Sequence, residues 1–235
     1  MLKTKANKMK KKTIFARLKF RTMLENFSFQ ELKKQIESNK TTKLYTYIIG
    51  GILLLTLGIF AYRQFIWKPN NEKSTDSFWV GLNYAAKDST DLAIEELEPV
   101  VKKFDGEVGG ENAQFILARQ YMAKGEFKKA LNELEGVDVD DTYLSSMALG
   151  LQADCHSEMK DYEKGQKLYL EASATNENEL TTPMYLFKAG LCLEKTKDFE
   201  KAAECYTKIK DDYPGYANQK AIEKYIARAS NKTTK

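Results

Sequence analysis

His156 is the single histidine of the chain, and with Cys155, Cys192 and Cys205 it makes up the whole stock of imidazole and thiol chemistry. A general base near neutral pH needs an imidazole or a strongly perturbed carboxylate, and a zinc site needs three or four ligands at set spacing. His156 and Cys155 are chain neighbours, which on a helix point in different directions. The other thiols lie far along the chain. No Gly-rich phosphate loop and no nucleophile-elbow motif occurs. Acidic pairs such as Glu95/Glu96 and Asp211/Asp212 have the look of solvated helix faces. These residue types predict no catalytic residue, no metal site and no cofactor, hence a protein that is not an enzyme. For His156 two readings stand side by side: a core-facing helix position, or a base or metal ligand. The three cysteines are too few and too odd in number for a disulfide framework, although Cys192 and Cys205 could approach closely enough to pair in an oxidising compartment.

The elements that would position these side chains come from an internal repeat. Residues 117–134 (LARQYMAKGEFKKALNEL), 152–169 (QADCHSEMKDYEKGQKLY) and 189–206 (AGLCLEKTKDFEKAAECY) align without gaps. Ala118, Ala153 and Gly190 fall at one offset; Tyr121, His156 and Leu193 at the next. Gly125, Lys160 and Lys197 follow, then Phe127, Tyr162 and Phe199, then Ala130, Gly165 and Ala202, then Leu134, Tyr169 and Tyr206. Phe127, Tyr162 and Phe199 recur at separations of 35 and 37 residues. This is the tetratricopeptide pattern, nominally 34 residues of paired antiparallel helices. Small residues at the eighth and twentieth positions let backbones approach, and aromatics at the eleventh, seventeenth and twenty-fourth fill the space between units. His156 and the cysteines thus fall on packing positions of these helices.

A degenerate copy precedes these three, with Gly81, Tyr84, Ala93, Leu97 and Val100 at matching offsets and Trp79 displaced. Ala93 lies 37 residues before Ala130. The run Asp105-Gly106-Glu107-Val108-Gly109-Gly110 is expected as a loop between the first and second units. After Pro214, residues 216–230 place Ala221, Ile222, Tyr225 and Ile226 on one face and predict a single capping helix. Residues 76–230 therefore predict an all-α solenoid of about four repeats and about nine helices with no strand, followed by a tail at 231–235.

Upstream the composition changes. Residues 44–62 (LYTYIIGGILLLTLGIFAY) hold no charge, and ten of these 19 are Leu, Ile or Phe. At 1.5 Å per residue the segment is about 28 Å long, the thickness of a bilayer core, and its apolar residues favour insertion by roughly 3–6 kcal/mol. Tyr45, Tyr47, Tyr62 and Trp67 stand where interfacial aromatics belong. A span over 44–67 contacting the lipid bilayer is predicted. It reads as an uncleaved anchor, since 43 residues precede it and no small-residue cleavage site follows.

Charge divides along the same line. Residues 1–43 carry 13 Lys/Arg against three acids, whereas residues 76–235 carry 21 bases against 29 acids. The basic side predicts a cytoplasmic N-terminus and a C-terminal domain outside the cytosol. Within the head, Ser28 and Glu31 form a capping-box spacing, and Ile14, Phe15, Leu18 and Phe20 alternate with bases. That pattern suits a contact with anionic lipid or ribosomal RNA, or a bare orientation signal; nothing in the chain suggests binding to DNA. Residues 68–75 are expected as a short polar linker between span and array.

A repeat array offers a groove lined by the first helix of each unit. The positions facing it are Asn112, Ile116 and Arg119; Met147, Leu151 and Asp154; Met184, Lys188 and Leu191. Mixed apolar and charged types suit an extended polypeptide segment; alternatively these are ordinary exposed helix surface. The two-carboxylate clamp of chaperone-binding tetratricopeptide domains is missing, because Phe115, Gly150 and Phe187 fill one of its places.

The whole arrangement of basic head, single span and small tetratricopeptide array resembles the YfgM-like family of ancillary subunits of the SecYEG translocon. The resemblance is sharpest in DDTYLSSMALGLQADC, ELTTPMYLFKAGLCLE, YTKIKDDYP and EKYIARA. It implies a bacterial inner-membrane protein with a periplasmic array. It further implies partners in SecYEG and in a membrane-anchored periplasmic peptidyl-prolyl isomerase or chaperone, receiving newly exported chains. Scaffolds of cell division or outer-membrane assembly share the layout and give the alternative.

Overall fold

A computed structural model describes Lys34, residues 38–137 and residues 141–233. The basic head up to residue 33 lies outside the described residues, as do the expected contacts of that head. The chain divides into two units, one up to Phe65 and one from Ile66.

In the first unit, α1 (Lys40–Tyr62) is capped by Asn39, whose side chain accepts the Thr41 N–H at 3.1 Å. No residue of α1 is buried, so its Leu, Ile and Phe side chains all face outward. This is one helix long and apolar enough to cross a membrane. A π-helical turn, Arg63–Trp67, follows.

The second unit begins with α2 (Lys68–Ala86), then α3 (Thr90–Lys103), α4 (Val108–Ala123), α5 (Phe127–Gly136), α6 (Thr142–Glu158), α7 (Tyr162–Ala174), α8 (Thr181–Lys195), α9 (Phe199–Asp212), α10 (Pro214–Lys220) and α11 (Glu223–Thr233). Among the described residues there is no strand. From α2 to α10 each helix packs on its chain neighbours, α2 also packs on α4, and α11 packs on α9.

Four turns have one geometry. Asp88, Gly125, Lys160 and Lys197 are left-handed, with φ of 55°, 75°, 65° and 67°. The next residue's N–H reaches back five residues each time: Ser89 to Tyr84 O, Glu126 to Tyr121 O, Asp161 to His156 O, Asp198 to Leu193 O, at 2.8–3.0 Å. This is the Schellman ending of a helix, which satisfies a carbonyl that has no intrahelical donor. The degenerate pair α2/α3 therefore turns as the other three do. Asp88 stands 37 residues before Gly125, a signal present in the sequence beside those already aligned.

The close-packing positions behave as their types require. A Cβ on Gly81 would overlap Leu97, and one on Gly190 would overlap the Tyr206 ring. Both are contacts between the eighth and twenty-fourth positions of a single unit.

Four expectations about boundaries are corrected. Residues 68–75 are not an extended linker: they are the first turns of α2, and Ser74 is fully buried. Gly109 and Gly110 are not loop but the first turn of α4, because the Ser74 and Phe104 backbones pass where their Cβ atoms would be. The cap is two helices, broken at Ala221 in the left-handed conformation (φ 49°), where the Ile222 N–H turns back to Ala217 O at 3.0 Å. That break leaves Ala221 exposed and seats Ile222 in the core at 1% exposure. Residues 231–233, expected as tail, complete α11.

Candidate protein-interaction groove

The groove face depends on how α4, α6 and α8 are started. The leading N–H groups of a helix have no intrahelical acceptor. Glu107, preceding α4, supplies no side-chain cap; α2 supplies it instead. Val108 N–H donates to Asn71 Oδ1 at 3.0 Å and Gly109 N–H to Ser74 Oγ at 3.1 Å, while Asn70 Nδ2 donates to Glu107 Oε1 at 3.1 Å. At α6, Asp141 Oδ1 accepts from the Tyr143 and Leu144 N–H groups at 2.9 and 2.8 Å. At α8, Asn178 Oδ1 accepts from Leu180 and Thr181, both at 2.8 Å.

Of the nine groove positions, Arg119 is exposed and the other eight are half-buried. Ile116, Met147 and Leu151 pack their inner sides on the core around Leu97 and Leu117, and Met184 packs on the core around Tyr206. Asp154 and Lys188 are brought together: Lys188 Nζ lies 2.7 and 2.9 Å from the two carboxylate oxygens, and the Tyr169 hydroxyl donates to the same carboxylate. Lys188 Nζ also stands 5.5 Å from the Tyr169 ring centroid and 5.9 Å from that of Tyr185. These two groove residues thus tie α6, α7 and α8 together as well as facing outward. Burial, then the Asp154 carboxylate, holds the Tyr169 hydroxyl well above the ordinary phenol range.

Beside this pair a recess of about 380 Å³ is lined by Lys188, Leu191, Lys195, Tyr162, Ser157 and Cys192 among others. Sequence reasoning did not name Lys195 or Ser157 for the groove. The signal was available, since Lys195 lies seven residues, or two helical turns, after Lys188. The Ser157 hydroxyl is 3.3 Å from Cys192 Sγ. All three cysteines are buried free thiols. Burial raises each thiol, Cys155 and Cys205 to about 11, so they are un-ionised near neutral pH.

His156 is 14% exposed and sits over the α6–α7 turn, with Nδ1 3.2 Å from Asp161 Oδ2. Among the described residues no three His, Cys, Asp or Glu side chains gather as a metal site. A second polar relay repeats the first one unit later: the Tyr206 hydroxyl donates to Glu194 Oε1 at 2.9 Å, and Arg228 Nη2 reaches the same oxygen at 2.6 Å. In both, a tyrosine at the twenty-fourth position and a base 34 residues after the acid meet one carboxylate. Such an arrangement ties neighbouring units.

Residues 185–216 match the tetratricopeptide repeat family model. No curated protein matches the chain. Among solved structures, the crystal structure of MamA protein is similar at 22% identity, covering 69% of this chain and 84% of that one with a TM-score of 0.57. A Podosopora anserina protein of nearly identical TPR-like repeats, provisionally assigned as a kinesin light chain, is similar at 16% identity, covering 70% of this chain and 88% of its own with a TM-score of 0.55. At those identities the likeness speaks for architecture alone. From α2 to α11 the chain has the tetratricopeptide-repeat solenoid fold, an architecture of protein-interaction scaffolds.

Proposed function

We propose that the protein is a membrane-anchored, non-catalytic interaction module whose array engages polypeptide partners through the face lined by α4, α6 and α8. The observation that carries this reading is the half-buried row of apolar side chains at Ile116, Met147, Leu151, Met184 and Leu191. The inner sides of the first four are anchored in the cores while their outer sides stay open. The wholly unburied α1 supports anchoring, because its exposed Leu, Ile and Phe residues would be strongly unfavourable in water. The excess of bases before it supports a cytoplasmic N-terminus and a periplasmic array.

The YfgM-like layout supports a place beside SecYEG, with a periplasmic peptidyl-prolyl isomerase or chaperone as groove partner. The test is crosslinking in intact cells from photoreactive residues at 147, 151 and 191. SecY or a foldase in the adducts is the expected result. Recovery of division or outer-membrane assembly proteins alone would move the protein to an envelope scaffold. Protease treatment of spheroplasts checks the topology, and survival of the array there would refute it.

A further inference from the structure

The cap does not share the charge of the array it closes. Residues 76–213 carry 16 bases against 28 acids, whereas residues 214–233 carry Lys220, Lys224, Arg228 and Lys232 against Glu223 alone. The four bases recur every fourth residue. Three of them stand over the ring cluster in which α8 ends the groove. Lys220 Nζ is 5.9 Å from the centroids of both Phe187 and Tyr216, Lys224 Nζ is 5.0 Å from that of Tyr225, and Arg228 is 4.7 Å from the same ring. Phe187 meets Tyr225 edge-on at 4.8 Å and occupies the position just before Lys188 on α8. Phe187, Tyr216 and Tyr225 are half-buried, while Lys220 and Lys224 are exposed. Arg228 is neutralised by Glu194 at 2.6 Å. Neither Lys220 nor Lys224 has a carboxylate within ion-pairing distance among the described residues.

Resting on the interaction-groove reading above, we propose that the end of the groove formed by Phe187, Tyr216, Lys220, Lys224 and Tyr225 binds a short acidic stretch of an extended polypeptide. Charge complementarity selects the occupant. Two unpaired cations on an otherwise acidic array attract carboxylates, and the rings beneath them give an apolar floor for the side chains between those carboxylates. A long polyanion such as a nucleic acid would have to run on over the acidic remainder of the array, which repels it. A lipid surface is disfavoured because no large apolar side chain of residues 214–233 is exposed for insertion.

The test uses the full chain in nanodiscs of zwitterionic lipid and fluorescence anisotropy. The probes are a fluorescein-labelled extended peptide of alternating Glu and Phe and a twin with Gln for every Glu. The acidic peptide is expected to bind about tenfold more tightly than its twin, and the preference is expected to shrink with added salt. The double substitution Lys220→Glu with Lys224→Glu abolishes the preference, and Lys220→Gln with Lys224→Gln halves it on a logarithmic scale, both with unchanged circular dichroism and Tm. Equal binding of the two peptides overturns this inference and leaves the groove reading standing. Binding of neither peptide overturns both. If the substitutions leave peptide binding intact and instead reduce co-flotation with phosphatidylserine vesicles, the patch is a lipid contact and the inference is wrong.

Discussion

Around Leu97 the array packs Phe78, Phe104, Phe115, Leu117 and Leu134, whereas around Tyr206 it packs Tyr169, Tyr185, Leu186, Ile209 and Tyr213. The two cores part at α6, which gives Ala148 and Cys155 to the first and Ala153 to the second. In the first, glycine brings backbones together at Gly109 and Gly110, and α2 caps α4 through Asn71 and Ser74. In the second, buried tyrosines reach out to Asp154 and Glu194, which Lys188 and Arg228 then neutralise. The α2–α4 end is thus closed chiefly by main-chain contacts that cannot give way, beside one buried hydroxyl, Tyr121, that donates to Glu98. The far end adds two charged relays, and in the first of them Asp154 and Lys188 also face the groove. A repeat that departs from its consensus is here closed by a different contact.

Substitutions that strike one end and spare the other can break this contrast. The largest effect is expected from Gly109→Ala, because its Cβ meets main chain and not a movable side chain; the loss is about 3 kcal/mol in denaturant melts. Trp79 emission should report unfolding of α2 and α4 before the bulk of the circular dichroism changes. Tyr206→Phe removes one hydrogen bond to the Glu194 carboxylate and should cost about 1.5 kcal/mol without altering Trp79 emission. Asn71→Ala removes the cap on Val108 and should cost about 1 kcal/mol. Its mark is faster amide exchange at the start of α4 with α8 and α9 unchanged.

Alkaline pH acts on both cores, since burial raises Cys155 to about 11 and also lifts Tyr121 in the first. Burial, the first cause in every case, raises Cys205 to about 11 and Tyr185 to about 12, and lifts Tyr169 and Tyr206 further. The folded pKa values exceed the unfolded ones of 9.0 and 10.0. These groups therefore contribute their full stability below about pH 9 and lose it as pH climbs through the folded values. The Tm should hold to about pH 9 and fall by a few degrees near pH 10, with tyrosinate absorbance rising as it falls. At the bottom of the scale, Lys124→Ala removes only surface ion pairs with Asp91 and Glu126 and should leave Tm unchanged.

The gap-free alignment of Tyr121, His156 and Leu193 with their flanking small residues was legible without coordinates, because helix pairing imposes a strict order of small and large side chains. The apolar run at 44–62 was equally plain, since length and lack of charge alone define such a helix. Asp88 was legible too, once set beside Gly125, Lys160 and Lys197. The cap was legible only as an apolar face. Its break at Ala221 depends on seating Ile222 under α9, which no local pattern requires.

Type and spacing alone fixed the all-helical class, the repeat and the apolar α1, for these follow from periodicities carried by neighbouring residues. Only tertiary structure decided that 68–75 belong to the array, that Asp154 and Lys188 are joined, and that Lys220 and Lys224 lie over the rings at the groove's end. The contacts of Ser74 with Gly109, Asp154 with Lys188 and Lys220 with Phe187 join residues 33 or more positions apart, whose distance is set by how the helix pairs stack and by nothing local to either residue.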